Sequence, residues 1–121
     1  MEELHGIDFL VVDDSRDAAD TLSRMLQLLG YNTRVEYSAR AALARADSVR
    51  PLCVMLDIGM PGMDGLELAR DFRRKFGDDV VLVAVTGYNS DDPRVAETFA
   101  IVDHYFTKPL SMEVLQRILP S

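Results

Sequence analysis

Three carboxylates, a threonine and a lysine stand where short apolar runs of this sequence stop. Asp13 and Asp14 follow Phe9-Leu10-Val11-Val12, Asp57 follows Leu52-Cys53-Val54-Met55-Leu56, Thr86 follows the run from Val80 to Val85, and Lys108 follows Tyr105-Phe106-Thr107. If those runs are parallel strands, the residues at their carboxyl ends share one rim of the sheet, where ligands of open α/β sheets bind. Two carboxylates ~4 Å apart repel by about 4 kcal/mol at an effective dielectric of 20, so three ionised side chains converging there need compensation. A hard divalent cation supplies it, and Mg²⁺ takes one or two carboxylates together with waters and a phosphoryl oxygen. Lys108 adds a movable positive charge and Thr86 a hydroxyl donor. A carboxylate nucleophile, a Mg²⁺ site, a lysine and a hydroxyl are the minimal kit for accepting a phosphoryl group, whose transition state spreads charge over three oxygens. Asp57 stands alone at its strand end and suits the nucleophile; the Asp13-Asp14 pair suits the metal. The same pair could instead cap a following helix, because acidic residues favour helix N-termini.

The elements that must position these residues alternate. After the first run, Ala18, Leu22, Met25, Leu26 and Leu29 recur at helical spacing and Gly30 offers a stop. Residues 31–37 alternate apolar and polar, as a half-buried strand near a sheet edge does. Ala39 to Ala46 reads as a short helix, and Pro51 resets the chain before the strand that ends at Asp57. A turn-rich loop, Gly59 to Gly65, leads into a third helix carrying Leu66, Ala69 and Phe72, with Gly77 after it. Val80 to Val85 is the most apolar strand and is expected at the centre of the sheet. Asp91-Asp92-Pro93 starts a helix expected over about 93–100. Ser111 caps a last helix in which Met112, Leu115 and Leu119 face inward. Five βα units make an α/β, doubly wound domain with a parallel sheet, and residues 1–121 read as one domain without linker or repeat.

Composition narrows the partners. The 121 residues hold 13 Lys+Arg against 20 Asp+Glu, a formal net charge of −7. That balance lacks the basic footprint with which a protein neutralises nucleic-acid phosphates, so no direct nucleic-acid contact is expected. The apolar runs are far shorter than the roughly 20 residues a membrane span needs, which excludes membrane insertion and makes cytoplasmic residence the expectation. Cys53 is the single cysteine and sits in an apolar run, so it reads as a buried reduced thiol.

The segments VVDDS (11–15), MLDIGMPGMDG (55–65), AVTGY (84–88) and HYFTKPL (104–110) resemble, in this order and spacing, the receiver domain of two-component response regulators. The resemblance covers essentially the whole chain. It implies a five-stranded flavodoxin-like sheet of order 2-1-3-4-5 with helices on both faces. It also implies phosphorylation of the Asp57 carboxylate, with Mg²⁺ held by Asp14, Asp57 and the backbone carbonyl of Gly59, and with Asp13 acting through water. Lys108 would pair with the phosphoryl group, Thr86 would hydrogen-bond it, and Tyr105 matches the aromatic switch position. The Lys108-Pro109 peptide would be cis. The implied partners are a histidine kinase or a histidine phosphotransfer domain and a downstream protein effector, and the wording of the last two segments is most similar to receivers attached to hybrid histidine kinases. Ile101 and Val102 depart from the Gly-aromatic pair common after the fourth helix, and Gly59 and Tyr88 flank the pocket where they would tune access of water to an acyl phosphate.

Other functions fit less well. An aspartate-nucleophile phosphatase would place an Asp-x-Asp after its first strand, whereas the lone acceptor here follows the third. A flavin carrier of this fold would need a phosphate loop that VVDDSRD would repel. A receiver fold used as a phosphorylation-independent interaction module is the remaining alternative, with the intact site residues against it.

Overall fold

The computed structural model describes residues 7–58, 65–87, 96–98, 100–108 and 110–118. Along them run β1 (Ile7–Val12), α1 (Arg16–Leu28), β2 (Thr33–Glu36), α2 (Ala39–Val49), β3 (Pro51–Leu56), α3 (Gly65–Phe76), a 3₁₀ turn (Gly77–Asp79), β4 (Val81–Thr86), β5 (His104–Thr107) and α4 (Met112–Ile118). Residues 96–98 are helical, inside the helix expected over 93–100; the rest of that expectation lies outside the described residues.

The strands form one sheet in the order β2-β1-β3-β4-β5, every pair parallel. Alternation along each strand sends side chains to two cores. On one face Leu10, Val54, Leu56 and Leu82 pack with Ala42 and Ala46 of α2 and with Leu68 and Phe72 of α3. On the other, Phe9, Val11, Met55 and Val83 meet Leu22 and Leu26 of α1 and Leu115 of α4. Each fully buried side chain of this size contributes about 1.5–3 kcal/mol. The expected fold class and strand order therefore hold, and β2 is an edge strand as its alternation suggested.

Two expectations need correction. Val80 to Val85 does not form the central strand: β3 takes the centre and β4 lies between β3 and β5, with Val81 42% exposed. Inner strands of a doubly wound sheet are covered on both faces, so apolar content does not rank them. The second helix also runs past Ala46 to Val49, ending where Arg50 turns left-handed at φ 46° just before the strand begins at Pro51.

Local chemistry sets the helix ends. The Ser15 hydroxyl accepts the Ala18 N–H at 3.3 Å and opens α1. Gly30, at φ 98°, closes it: its N–H reaches the Gln27 carbonyl and the Tyr31 N–H reaches that of Leu26. Ser111 opens α4 by accepting the Val114 N–H at 3.1 Å.

Candidate functional site

The sheet register brings the first and third strand ends together. Val12 lies opposite Leu56, and the ladder continues one step further as the Asp57 N–H donates to the Val12 carbonyl at 3.0 Å. On the other side of β1 the Asp13 N–H donates to the Glu36 carbonyl at 3.2 Å. Asp13 and Asp57 thus leave adjacent strands at the same height, both buried. Asp14 is exposed beside them, and one carboxylate oxygen from each of the three lies within 4.8 Å of the others.

The capping alternative for the acidic pair is resolved by Ser15. Because Ser15 holds the N-cap, neither aspartate is needed there. Asp13 instead accepts the Ser15 N–H on Oδ1 at 3.0 Å, which orients the carboxylate and leaves Oδ2 facing the pocket. There the Lys108 ammonium sits 2.7 Å from Asp13 Oδ2 and 3.4 Å from Asp57 Oδ2. Burial is the largest single influence on Lys108 and works against its charge. The hydrogen bond to Asp13, the charges of Asp57 and Asp13 and the weaker bond to Asp57 together outweigh it and hold the ammonium above the ordinary lysine pKa. One cation among three carboxylates leaves a net charge of −2, and a second cation would complete the balance. The donor set is all oxygen, partly buried and partly open through Asp14, which fits Mg²⁺.

The pocket continues as a cavity of about 290 Å³ between α1 and the sheet, where Asp17, Leu22 and Leu110 join Asp13, Asp57 and Lys108. Of the other expected site residues, Thr86 ends β4 beside β5, in register with Thr107, and its hydroxyl lies outside what is described. Gly59, Tyr88 and Pro109 lie outside the described residues, so the expected carbonyl ligand, the flanking tyrosine and the cis peptide do too. Tyr105 is partly buried and packs, with Ile101 and Val102, against the core shared by α2 and α3. His104 is exposed. Cys53 is free and half-buried; burial first and the Asp103 charge second push its thiol up to about 12, which keeps it protonated and unreactive.

One residue beside the site was read from sequence only as the end of a turn-rich loop. Gly65 opens α3 directly against the end of β3, its N–H donating to the Ile58 carbonyl at 3.3 Å. A Cβ at this position would run into the Asp57 carbonyl oxygen and the Ile58 Cα. The available signal was a glycine in the first turn of an otherwise well-formed helix eight residues after Asp57, but spacing does not say which backbone it meets.

Known proteins share this arrangement. A family model for the response regulator receiver domain matches residues 9–119. The response regulator MprA of Mycolicibacterium vanbaalenii is 41% identical over 106 residues, which cover 88% of this chain and 46% of that protein, so the chain spans about half the length of such curated relatives. Among solved structures, a CheY-like receiver domain protein from Methanospirillum hungatei superposes with a TM-score of 0.83 at 27% identity, covering 92% of this chain and 88% of its own. A response regulator from Burkholderia pseudomallei, solved with a phosphorylated aspartic acid, a calcium ion and citrate, gives 0.82 at 27% identity over 95% of this chain and 67% of its own. A matched span from the first strand to the last helix, over a sheet whose order and acidic rim agree with it, makes this chain a member of the response regulator receiver domain family.

Proposed function

We propose that residues 1–121 act as one phosphoacceptor receiver domain in a His-to-Asp phosphorelay, with Asp57 as the acceptor. The observation that carries this reading is the buried Asp57 carboxylate at the end of β3, with the Lys108 ammonium at 3.4 Å and the carboxylates of Asp13 and Asp14 gathered around it. The phosphorylated aspartate in the Burkholderia pseudomallei relative supports it.

In this reading an Asp57 carboxylate oxygen attacks the phosphorus of a phosphohistidine on a histidine kinase or histidine phosphotransfer domain. The P–O bond forms as the P–N bond breaks, and the imidazole leaves. Asp13, Asp14 and Asp57, with the Gly59 carbonyl, would hold Mg²⁺, which when bound neutralises the charge that three carboxylates and an incoming phosphoryl group bring together. Lys108 already faces both buried carboxylates and needs only a small movement to meet a phosphoryl oxygen on Asp57. Thr86, at the end of the neighbouring strand, supplies a hydroxyl donor. Hydrolysis returns the carboxylate and inorganic phosphate, so the chain takes part in its own phosphorylation and dephosphorylation and is not an enzyme acting on a separate substrate.

The histidine-bearing partner docks near α1 and the segment after β5, which border the pocket. Output follows from a two-state equilibrium biased by contacts that differ between the states: Thr86 moves toward the phosphoryl group and Tyr105 fills the space it leaves. This remodels the face made by the helix at 96–98, β5 and α4, where a downstream protein effector binds. No described helix is long and apolar enough to cross a membrane, and residence in the cytoplasm, beside a kinase's phosphohistidine, belongs to the same reading.

Intact-mass measurement after incubation with acetyl phosphate, with and without Mg²⁺, tests the chemistry. The expected result is a single phosphoryl adduct that needs Mg²⁺ and is absent in Asp57→Ala. A folded wild-type protein that takes no phosphoryl group from any donor would overturn the reading in favour of a phosphorylation-independent interaction module.

A further inference from the structure

Far from the acidic pocket, at the opposite end of β5, one guanidinium ties three segments together. Arg73, in the last turn of α3, donates through Nη1 to the carbonyls of Gly77 at 2.7 Å and Val80 at 3.1 Å. Through Nη2 it donates to the carbonyl of Ile101 at 3.0 Å and to Asp103 Oδ2 at 2.9 Å. Asp103 in turn brackets Leu82: its N–H donates to the Leu82 carbonyl at 2.8 Å, and its Oδ2 accepts the Leu82 N–H at 2.9 Å. The regular pairing of β4 with β5 begins at the next step, Val83 opposite His104. Asp103 therefore sets the first rung of that ladder, and Arg73 holds Asp103.

This matters because β5 is an edge strand of four residues, paired among the described residues with β4 alone. So short an edge is weakly held by its own ladder. A one-residue slip would turn its side chains to the opposite faces. Lys108 follows the strand directly, so the start of β5 fixes the height at which its ammonium meets Asp13 and Asp57. The same helix is seated at its other end on the acceptor, where Gly65 packs against the backbone of Asp57 and Ile58. Helix α3 thus spans the distance between the acceptor and the root of the lysine's strand as one rigid rod.

We propose that Arg73 is a positioning residue for Lys108: by gripping Ile101 and Asp103 it fixes where β5 starts against β4, and so where the lysine stands relative to Asp57. The consequence for phosphoryl transfer rests on the phosphoacceptor reading above; the consequence for β5 does not. Arg73 touches neither the acceptor nor a phosphoryl group in this scheme.

The test is a double-mutant cycle on the 121-residue chain with Arg73→Met and Lys108→Ala, read as the rate of adduct formation with acetyl phosphate and Mg²⁺, together with amide hydrogen exchange without either. Arg73→Met alone is expected to speed exchange at Tyr105 and Thr107, whose N–H groups face β4 as that of Asp103 does, at least tenfold relative to Leu10 and Val54, and to slow transfer about tenfold. In the Lys108→Ala background the same substitution should have little further effect on transfer. Equal slowing in both backgrounds, or an unchanged exchange ratio between β5 and the inner strands, would overturn the proposal, leaving Arg73 a general stabiliser. Asp103→Asn keeps an acceptor for the Leu82 N–H while removing the charge, and gives a milder second arm should Arg73→Met not fold; it must show the same dependence on Lys108. If wild type forms no adduct, the phosphoacceptor reading fails, and the exchange ratio alone decides whether Arg73 pins β5.

Discussion

Two cation–carboxylate clusters sit at opposite ends of β5, and they are balanced differently. At the carboxyl end Lys108 serves Asp13 and Asp57, with Asp14 close by, so one positive charge faces three negative ones. At the amino end Arg73 bonds Asp103 at 2.9 Å, lies 3.8 Å from the fully exposed carboxylate of Asp78, and directs its remaining bonds to carbonyls of Gly77, Val80 and Ile101. The second cluster is complete and holds chain segments in place. The first is short of positive charge. Residue types alone would not separate them, since both are basic groups among aspartates; the difference lies in burial, because Lys108 faces two buried carboxylates and Arg73 only exposed ones.

The largest effect expected from breaking this contrast is at Asp57. Asp57→Asn should abolish the Mg²⁺-dependent adduct in intact-mass spectra while raising folding stability by about 1 kcal/mol in metal-free urea titrations, because it removes one of the crowded charges. A loss of stability would show that the cluster is not charge-strained. Next comes Lys108→Gln, expected to slow transfer on the order of 100-fold by removing the cation that, among the described residues, faces Asp57; an unchanged transfer rate would mean the lysine only neutralises its neighbours. Gly65→Ala should cost roughly 1–3 kcal/mol, because the new methyl meets the backbone of Asp57 and Ile58 and packed backbone yields poorly. Thermal or urea unfolding that matches wild type would place α3 further from Asp57 than described.

The smallest effect sharpens the other cluster. Burial is the largest influence on Asp103 and disfavours its ionisation. The Leu82 N–H, the Arg73 hydrogen bond and charge, and His104 together reverse that and hold its pKa below the ordinary carboxylate value. A depressed folded-state pKa contributes stability that is present above the unfolded value of about 3.9 and is lost as pH falls through the lower folded value. Amide protection in β5 should therefore persist on acidification to about pH 4 and fail only below it. Asp103→Asn should remove that acid-side dependence, and β5 protection that declines already between pH 6 and 5 would assign it to other groups.

Much of the site was legible because strand ends announce themselves. An apolar run that stops at an aspartate, a threonine or a lysine places a functional side chain on the rim without any knowledge of neighbours. Asp13, Asp14, Asp57 and Lys108 were found that way, and they do converge. Gly65 and Arg73 were not, because their roles depend on what lies across the fold. A glycine in a helix turn and an arginine on a helix end are ordinary until the backbone of Asp57 and the carboxylate of Asp103 are set against them. The rank of the strands failed for a related reason: apolar content reports that both faces are covered, and β1, β3 and β4 are all covered.

The order of apolar runs and helical stretches, the residues at each run's end and the acidic excess are properties of the chain, since side-chain periodicity and charge are written residue by residue. The pairing of Val12 with Leu56 is a tertiary fact, and with it come the meeting of Asp13 with Asp57, the release of the acidic pair from capping by Ser15, and the grip of Arg73 on the root of β5. Each joins groups distant in sequence or settles a competition between neighbours, and only packing of the whole sheet lowers one arrangement below the others.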